Sequence, residues 1–309
     1  MKRMNAMISL LLLICLSFCG CGTFVAATGE TQKEEGAEQK NQSLKIESVT
    51  TEKTDAASSE QNGIITEGTK QMQTTTYTLN HVDFTMVYVE AGVFTMGSDN
   101  KNAAFSESPA HRVIISKDYM MGETEVTEAL WNAVMGKGGG STDLPKTSVT
   151  WKGAHDFIDR LNEIAHEQGL ITEQQNFKLP TEAEWEFAAK GGNLSKGYLY
   201  SGSNDIDDVA VTLENSGSSS PIEIKTKLPN ELGLYDMSGN AYEWVDDYAY
   251  EYSDEEQVDP QNTTPSHSYV KRGGSNYHGF DDESYLFTTT GRYFYGSTDW
   301  TIGLRIALR

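Results

Sequence analysis

Lys178-Leu179-Pro180-Thr181-Glu182-Ala183-Glu184-Trp185-Glu186 is the stretch on which the reading of the fold turns. Thr181 and Glu184 have the spacing of a capping box, in which the threonine hydroxyl takes the amide near Glu184 and the Glu184 carboxylate reaches back. A helix therefore starts here, and Gly191-Gly192 ends it. Two further helices are marked upstream. Thr127 precedes Glu128 to Met135, closed by Gly136. Thr150 precedes Trp151 to His166, with Ala154, Phe157, Ile158, Leu161 and Ala165 on one face and Gly169 as the stop. Short β-branched and aromatic runs predict strands at Thr85–Val89, Val93–Met96 and Arg112–Ile115. From Asn193 to Arg309 the chain is rich in glycine and polar residues, with short apolar pieces between them. Together these predict a single α+β domain with much irregular structure, spanning residues 77–309.

Upstream of Tyr77 the composition changes. Residues 22–76 are dominated by Glu, Gln, Lys, Thr, Ser and Gly, with hardly any aromatics. Such a segment buries too little apolar surface to offset the entropy of ordering, and is read as a disordered tether. Residues 1–21 have the make-up of a targeting signal: Lys2 and Arg3, an apolar run from Ile8 to Leu16, then Phe18-Cys19-Gly20-Cys21. The run is short for a bilayer span, so a cleaved signal is the better reading. Cysteine after glycine resembles a bacterial lipobox, making Cys21 the lipidation site and the membrane a partner through the N-terminal lipid. An ordinary secretory signal cleaved nearby is the alternative. Cys15, Cys19 and Cys21 are the chain's three cysteines, so residues 77–309 offer no disulfide, thiolate metal ligand or cysteine nucleophile.

The net charge of -21 argues against nucleic acid or anionic lipid as a partner, since both require basic patches. It suits a solvated extracytoplasmic surface.

Seven separated stretches resemble the formylglycine-generating enzyme (sulfatase-modifying factor) family. They are Met86 to Ser98, Glu107-Ser108-Pro109-Ala110-His111-Arg112-Val113, Glu123-Thr124-Glu125-Val126-Thr127, Lys178 to Glu186, Gly233 to Trp244, Arg272-Gly273-Gly274-Ser275 and Ile302-Gly303-Leu304-Arg305. They occur in order and cover nearly the whole of residues 77–309. The resemblance implies a C-type-lectin-like fold of the sulfatase-modifying-factor type. It also implies that Trp185 and Trp244 are core and that His111 packs structurally. Arg292 and Arg305 are expected in buried ion pairs, and His155 and His166 on a solvated helix face.

The family's oxidase holds copper with two cysteines after the Gly-Gly-Ser turn. Here those places fall on His278 and near Asp282, and imidazole with carboxylate does not reproduce a soft copper site. The alternative enzymatic reading is an oxidase with an altered metal site or a nonheme-iron centre, but the six histidines include no close H-x-x-x-H pair. The resemblance also implies a structural calcium on Asp236, Gly239, Ala241 and Glu243, a chemistry suited to hard oxygens on a flexible loop. The other reading is that Asp236 and Glu243 cap the loop through backbone amides. Residues Asn276 to Trp300 interleave aromatics with small polar residues, the composition of adaptable binding surfaces. Asn276, Tyr277, His278, Asp282, Tyr293, Tyr295 and Trp300 are the candidate groove residues, although half of the aromatics there have an alternative place in the core. The expected function is a lipid-anchored protein of the cell envelope that binds a protein, peptide or glycan without catalysis.

Overall fold

Asn80 and His81 both adopt left-handed backbone (φ 50° and 62°). This is what a two-residue hairpin turn demands, and it joins β2 (Thr74–Leu79) to β3 (Val82–Val89). The computed structural model describes residues 49–50, 72–101, 103–136, 142–278, 284–297 and 299–309. The signal segment, Cys21, most of the 22–76 stretch and Asp282 lie outside the described residues.

The hairpin belongs to a sheet of order β1-β2-β3-β6-β13-β7. Its other members are β1 (Val49–Thr50), β6 (Tyr119–Gly122), β7 (Phe177–Lys178) and β13 (Ala307–Leu308). β13 lies between β6 and β7 and is antiparallel to both. A second sheet has the order β11-β10-β8-β12, from β8 (Tyr242–Tyr248), β10 (Tyr269–Arg272), β11 (Arg292–Tyr295) and β12 (Ile302–Leu304). A third joins β4 (Gly92–Met96), β5 (His111–Ile115) and β9 (Gln257–Val258).

The three helices read from the sequence are present. In α1 (Glu128–Met135) Thr127 takes the Leu130 amide, and Gly136 closes the helix in left-handed conformation. In α2 (Trp151–Glu167) Thr150 takes the Gly153 amide. That helix buries Ala154, Phe157, Ile158, Leu161, Ile164 and Ala165, and Phe157 stacks on Trp131 of α1 with centroids 4.9 Å apart. α3 (Glu182–Ala189) carries the capping box as expected. Unlike the other two it has no solvated face, since all eight residues are buried. One hydrophobic core lies under α1 and α2 and a second surrounds α3, with Trp185 at its centre.

The first sheet reaches upstream of residue 77. Thr74-Thr75-Thr76, assigned to the tether, are paired with Val87, Met86 and Thr85, and Val49–Thr50 pair with Tyr77 and Thr76. Threonine is polar enough to pass for tether composition, yet its β-branch suits a half-buried strand.

Candidate functional site

The site rests on a buried charged frame around α3. Glu182 holds Arg292 through two hydrogen bonds of 2.6 and 2.7 Å. Glu186 holds Arg272, takes Lys190 at 2.6 Å and accepts the Gly97 amide at 2.8 Å. These acids are buried because three cations and a backbone amide replace the water they lose. Beside them, Asp247 accepts the amides of Glu182 (2.8 Å) and Asn262 (2.6 Å). Burial, then the neighbouring Glu182, pushes the Asp247 carboxyl up to about 7. The Arg292 guanidinium also lies 3.8 Å from the Tyr252 ring centroid and 4.8 Å from that of Phe294. The frame therefore fixes β10 and β11, the strands that present the surface.

Along that surface the aromatic side chains form a contact row, whose middle member, Tyr242, is buried beneath it. Trp300 meets Tyr277 edge-on at 5.0 Å, and Tyr277 meets His278 at 5.6 Å. His278 meets Tyr242 at 5.7 Å, and Tyr242 meets Tyr293 at 6.1 Å. Tyr293 stacks on Tyr285 at 6.3 Å, their hydroxyls 2.7 Å apart. Lys271 lies under the middle of the row, its Nζ 3.7 Å from the Tyr242 centroid, 4.8 Å from Tyr295 and 3.7 Å from Asp299. Burial pulls the Lys271 ammonium below the usual lysine range, while Asp299 works the other way. Tyr277 is 52% exposed, Trp300 43% and Tyr295 37%, so the row offers rigid apolar area to solvent.

Five of the expected groove residues thus share one surface: Tyr277, His278, Tyr293, Tyr295 and Trp300. Asp282 lies outside the described residues. Asn276 is a correction. It is fully buried, and its side-chain amide donates to the carbonyls of Ser218 (3.1 Å) and Ser220, tying down a loop instead of facing a ligand. The sequence reading missed Lys271 and Tyr242, and it counted Tyr285 among the aromatics of residues 276–300 without choosing it for the groove. Tyr242 stood inside the Gly233–Trp244 motif and Lys271 beside Arg272, but only the strand pairing sets these residues next to Tyr293. Arg292 and Arg305 are in buried ion pairs, and Trp185, Trp244 and His111 are buried, as expected. His155 and His166 are half-buried instead of solvated, His155 near Asp246 at 3.3 Å and His166 near Asn176 at 3.2 Å.

Of the residues assigned to calcium, Asp236 keeps one buried oxygen without a hydrogen bond, whereas Glu243 is engaged by protein donors. Glu243 receives Arg305 at 2.7 Å and, from Nε, at 3.1 Å on both oxygens, and the Trp185 indole at 2.6 Å. Its lone pairs are used by these donors, so Glu243 is not placed to ligate a cation. Asp236, in left-handed backbone (φ 57°), accepts the Lys225 amide at 2.8 Å. Gly239 is held by close approach, since a Cβ there would fall 2.2 Å from the Val211 carbonyl oxygen. Asp236 and Glu125 lie beside Arg305 in this buried group, and burial raises both carboxyls above the usual range.

The comparisons agree with this architecture. Residues 77–309 match the sulfatase-modifying factor enzyme 1-like domain, and the chain belongs to that family. Its fold is the loop-rich α+β fold of that family. The chaperone protein LppX of Paenibacillus barcinonensis is 30% identical over 204 residues, which cover 52% of this chain and 70% of that protein. The formylglycine-generating enzyme of Bos taurus is 25% identical over 246 residues, and this chain spans 65% of its length and 62% of its own. Among solved structures, Treponema denticola variable protein 1 superposes with a TM-score of 0.65 at 28% identity, covering 76% of this chain and 99% of that one.

Proposed function

We propose that this protein is a non-catalytic binding protein of the cell envelope, lipid-anchored at Cys21, that takes a protein, peptide or glycan ligand on the row from Trp300 to Tyr285. One observation carries this reading. A very acidic domain sets Tyr277 edge-on against Trp300, both open to solvent as Tyr295 is, over a buried, charge-locked frame. Exposed aromatics on a rigid support bind with little ordering cost, which is how compact recognition surfaces gain affinity. The similarity to a protein named a chaperone supports a role in binding. The chemistry at the copper positions supports the non-catalytic part, because residues 77–309 contain no cysteine and the first position is His278.

The test is a Tyr277→Ala/Trp300→Ala variant screened beside the wild type against immobilised peptides and glycans. A ligand of the wild type is expected to lose about 2 kcal/mol or more of binding on the double variant, with the melting temperature unchanged. Equal binding by both proteins would move the function away from this surface. Conversion of a cysteine-containing peptide to the aldehyde after loading with copper(I) would overturn the non-catalytic reading.

A further inference from the structure

At the Tyr285 end of the row the molecule has a separate cavity of about 180 Å³. Tyr285 belongs to both, its ring lining the cavity and its hydroxyl meeting Tyr293 at 2.7 Å. The wall carries the hydroxyl-bearing residues Tyr200, Ser284, Tyr285, Thr288 and Thr290 and the acid Glu107, and among the described residues no lysine, arginine or histidine lines it. Burial raises the Tyr200 phenol above its usual range, with Ser284 hydrogen-bonded to it. Tyr200 therefore keeps its proton and remains a donor. Glu107 is buried, with one oxygen accepting the Ala104 amide at 2.9 Å.

Size and chemistry together restrict what this cavity accepts. A space of about 150 Å³ holds one six-membered ring, so a bulky or extended group is excluded. An anion finds no cation in the wall. A phenyl or indole ring would strip water from this many hydroxyls without replacing the lost hydrogen bonds, which is costly. A hydroxylated ring replaces them at the positions the wall's own bonds leave open. Tyr285 is shared with Tyr293, and Thr288 is engaged by the Tyr285 carbonyl and the Gly291 amide, while Tyr200, Ser284 and the Glu107 carboxylate keep acceptor positions. Leu199, 48% exposed, adds an apolar edge for the ring's C–H face.

We propose that the cavity binds one neutral sugar ring, and that the ligand of the aromatic row is a glycan whose terminal residue sits there. The rest of the chain would then run over Tyr293, His278, Tyr277 and Trp300. This rests on the row being a binding surface, and it narrows the ligand to one class.

The probes are the methyl glycosides of glucose, galactose, mannose and N-acetylglucosamine, the trisaccharide of whichever binds, and N-acetyltyrosine amide. Each is titrated into the full chain by calorimetry. One glycoside is expected to saturate with a millimolar Kd, and its trisaccharide to bind about tenfold more tightly. Ser284→Ala and Thr290→Val are each expected to weaken both sugars about tenfold, with near-ultraviolet circular dichroism unchanged. Trp300→Ala is expected to weaken the trisaccharide alone. Failure of every glycoside to saturate by about 50 mM, or tighter binding of N-acetyltyrosine amide, would overturn the proposal. So would indifference of sugar binding to both wall variants. If a peptide binds through Trp300 while the glycosides fail, the surface reading survives and the sugar cavity falls. If the glycosides bind but Trp300→Ala spares the trisaccharide, the cavity survives and the surface reading falls.

Discussion

Arg305 is the cation on which the buried acids Glu243, Glu125 and Asp236 depend. Its guanidinium serves both oxygens of Glu243, the Gly122 carbonyl at 2.8 Å and the Tyr235 carbonyl at 2.8 Å. Glu125 and Asp236 also lie within its field. Arg305→Leu leaves Glu243 buried and uncompensated next to two further acids, and is expected to cost about 3–5 kcal/mol in urea unfolding. Lysine restores the charge but not the fork, so Arg305→Lys is expected to recover only part of the loss. Asp247 gives the opposite kind of test. Its folded carboxyl titrates at about 7, above an ordinary aspartate, so the folded state binds its proton more tightly than the unfolded one. Its stabilising contribution is complete below the unfolded value, and it declines as pH rises towards 7, by up to about 4 kcal/mol. Unfolding free energies at pH 5 and pH 8 should show that decline in the wild type, and Asp247→Asn should flatten it. An equal slope in the two proteins would sink the assignment.

At the level of elements, the helices were legible and the acids inside them were not. Caps and stops fixed α1, α2 and α3 because each signal is local: Thr127, Thr150 and Thr181 sit directly before the turn they serve. That α3 is buried on every side depends on arginines 86 and 110 positions away, and no local pattern reports that. Asn276 illustrates the same limit, since its partners Ser218 and Ser220 come from a distant loop. The start of β2 was missed for a different reason: Thr74-Thr75-Thr76 have tether composition, and only pairing with Thr85, Met86 and Val87 shows their state. A chain beginning at Tyr77 loses half of β2 and leaves Met86 and Val87 without those partners. It is expected to melt several degrees below a chain beginning at Met72, as differential scanning calorimetry would measure.

Over the whole molecule, the order of the seven motifs carried the architecture, because the frame is built from them: Glu182 and Glu186 from one, Glu243 from another, Arg272 and Arg305 from the last two. The proposed binding surface was legible only as a composition. Its row draws on β8, β10, β11 and two connecting loops, so which aromatics face out is decided by strand pairing across the second sheet. That surface should also be insensitive to salt. The domain is strongly acidic, the exposed row is apolar, and Lys271 beneath it is already paired with Asp299. A neutral ligand should therefore bind with nearly the same Kd in 50 and 500 mM sodium chloride, within about twofold.

The position of β13 has a consequence for how the chain comes into being. Ala307 and Leu308 occupy an interior slot of the first sheet, between β6 and β7. Until these residues leave the ribosome, β6 and β7 each present an unpaired edge and the sheet stays divided. The earlier part of the domain can collapse, but the first sheet is not joined until Ala307 and Leu308 are added. Loss of only the last three residues should then act as a folding defect out of proportion to its size, leaving a dye-binding, protease-sensitive chain. Pulse proteolysis of a chain ended at Ile306 is the measurement, and resistance equal to the full-length protein would refute the inference.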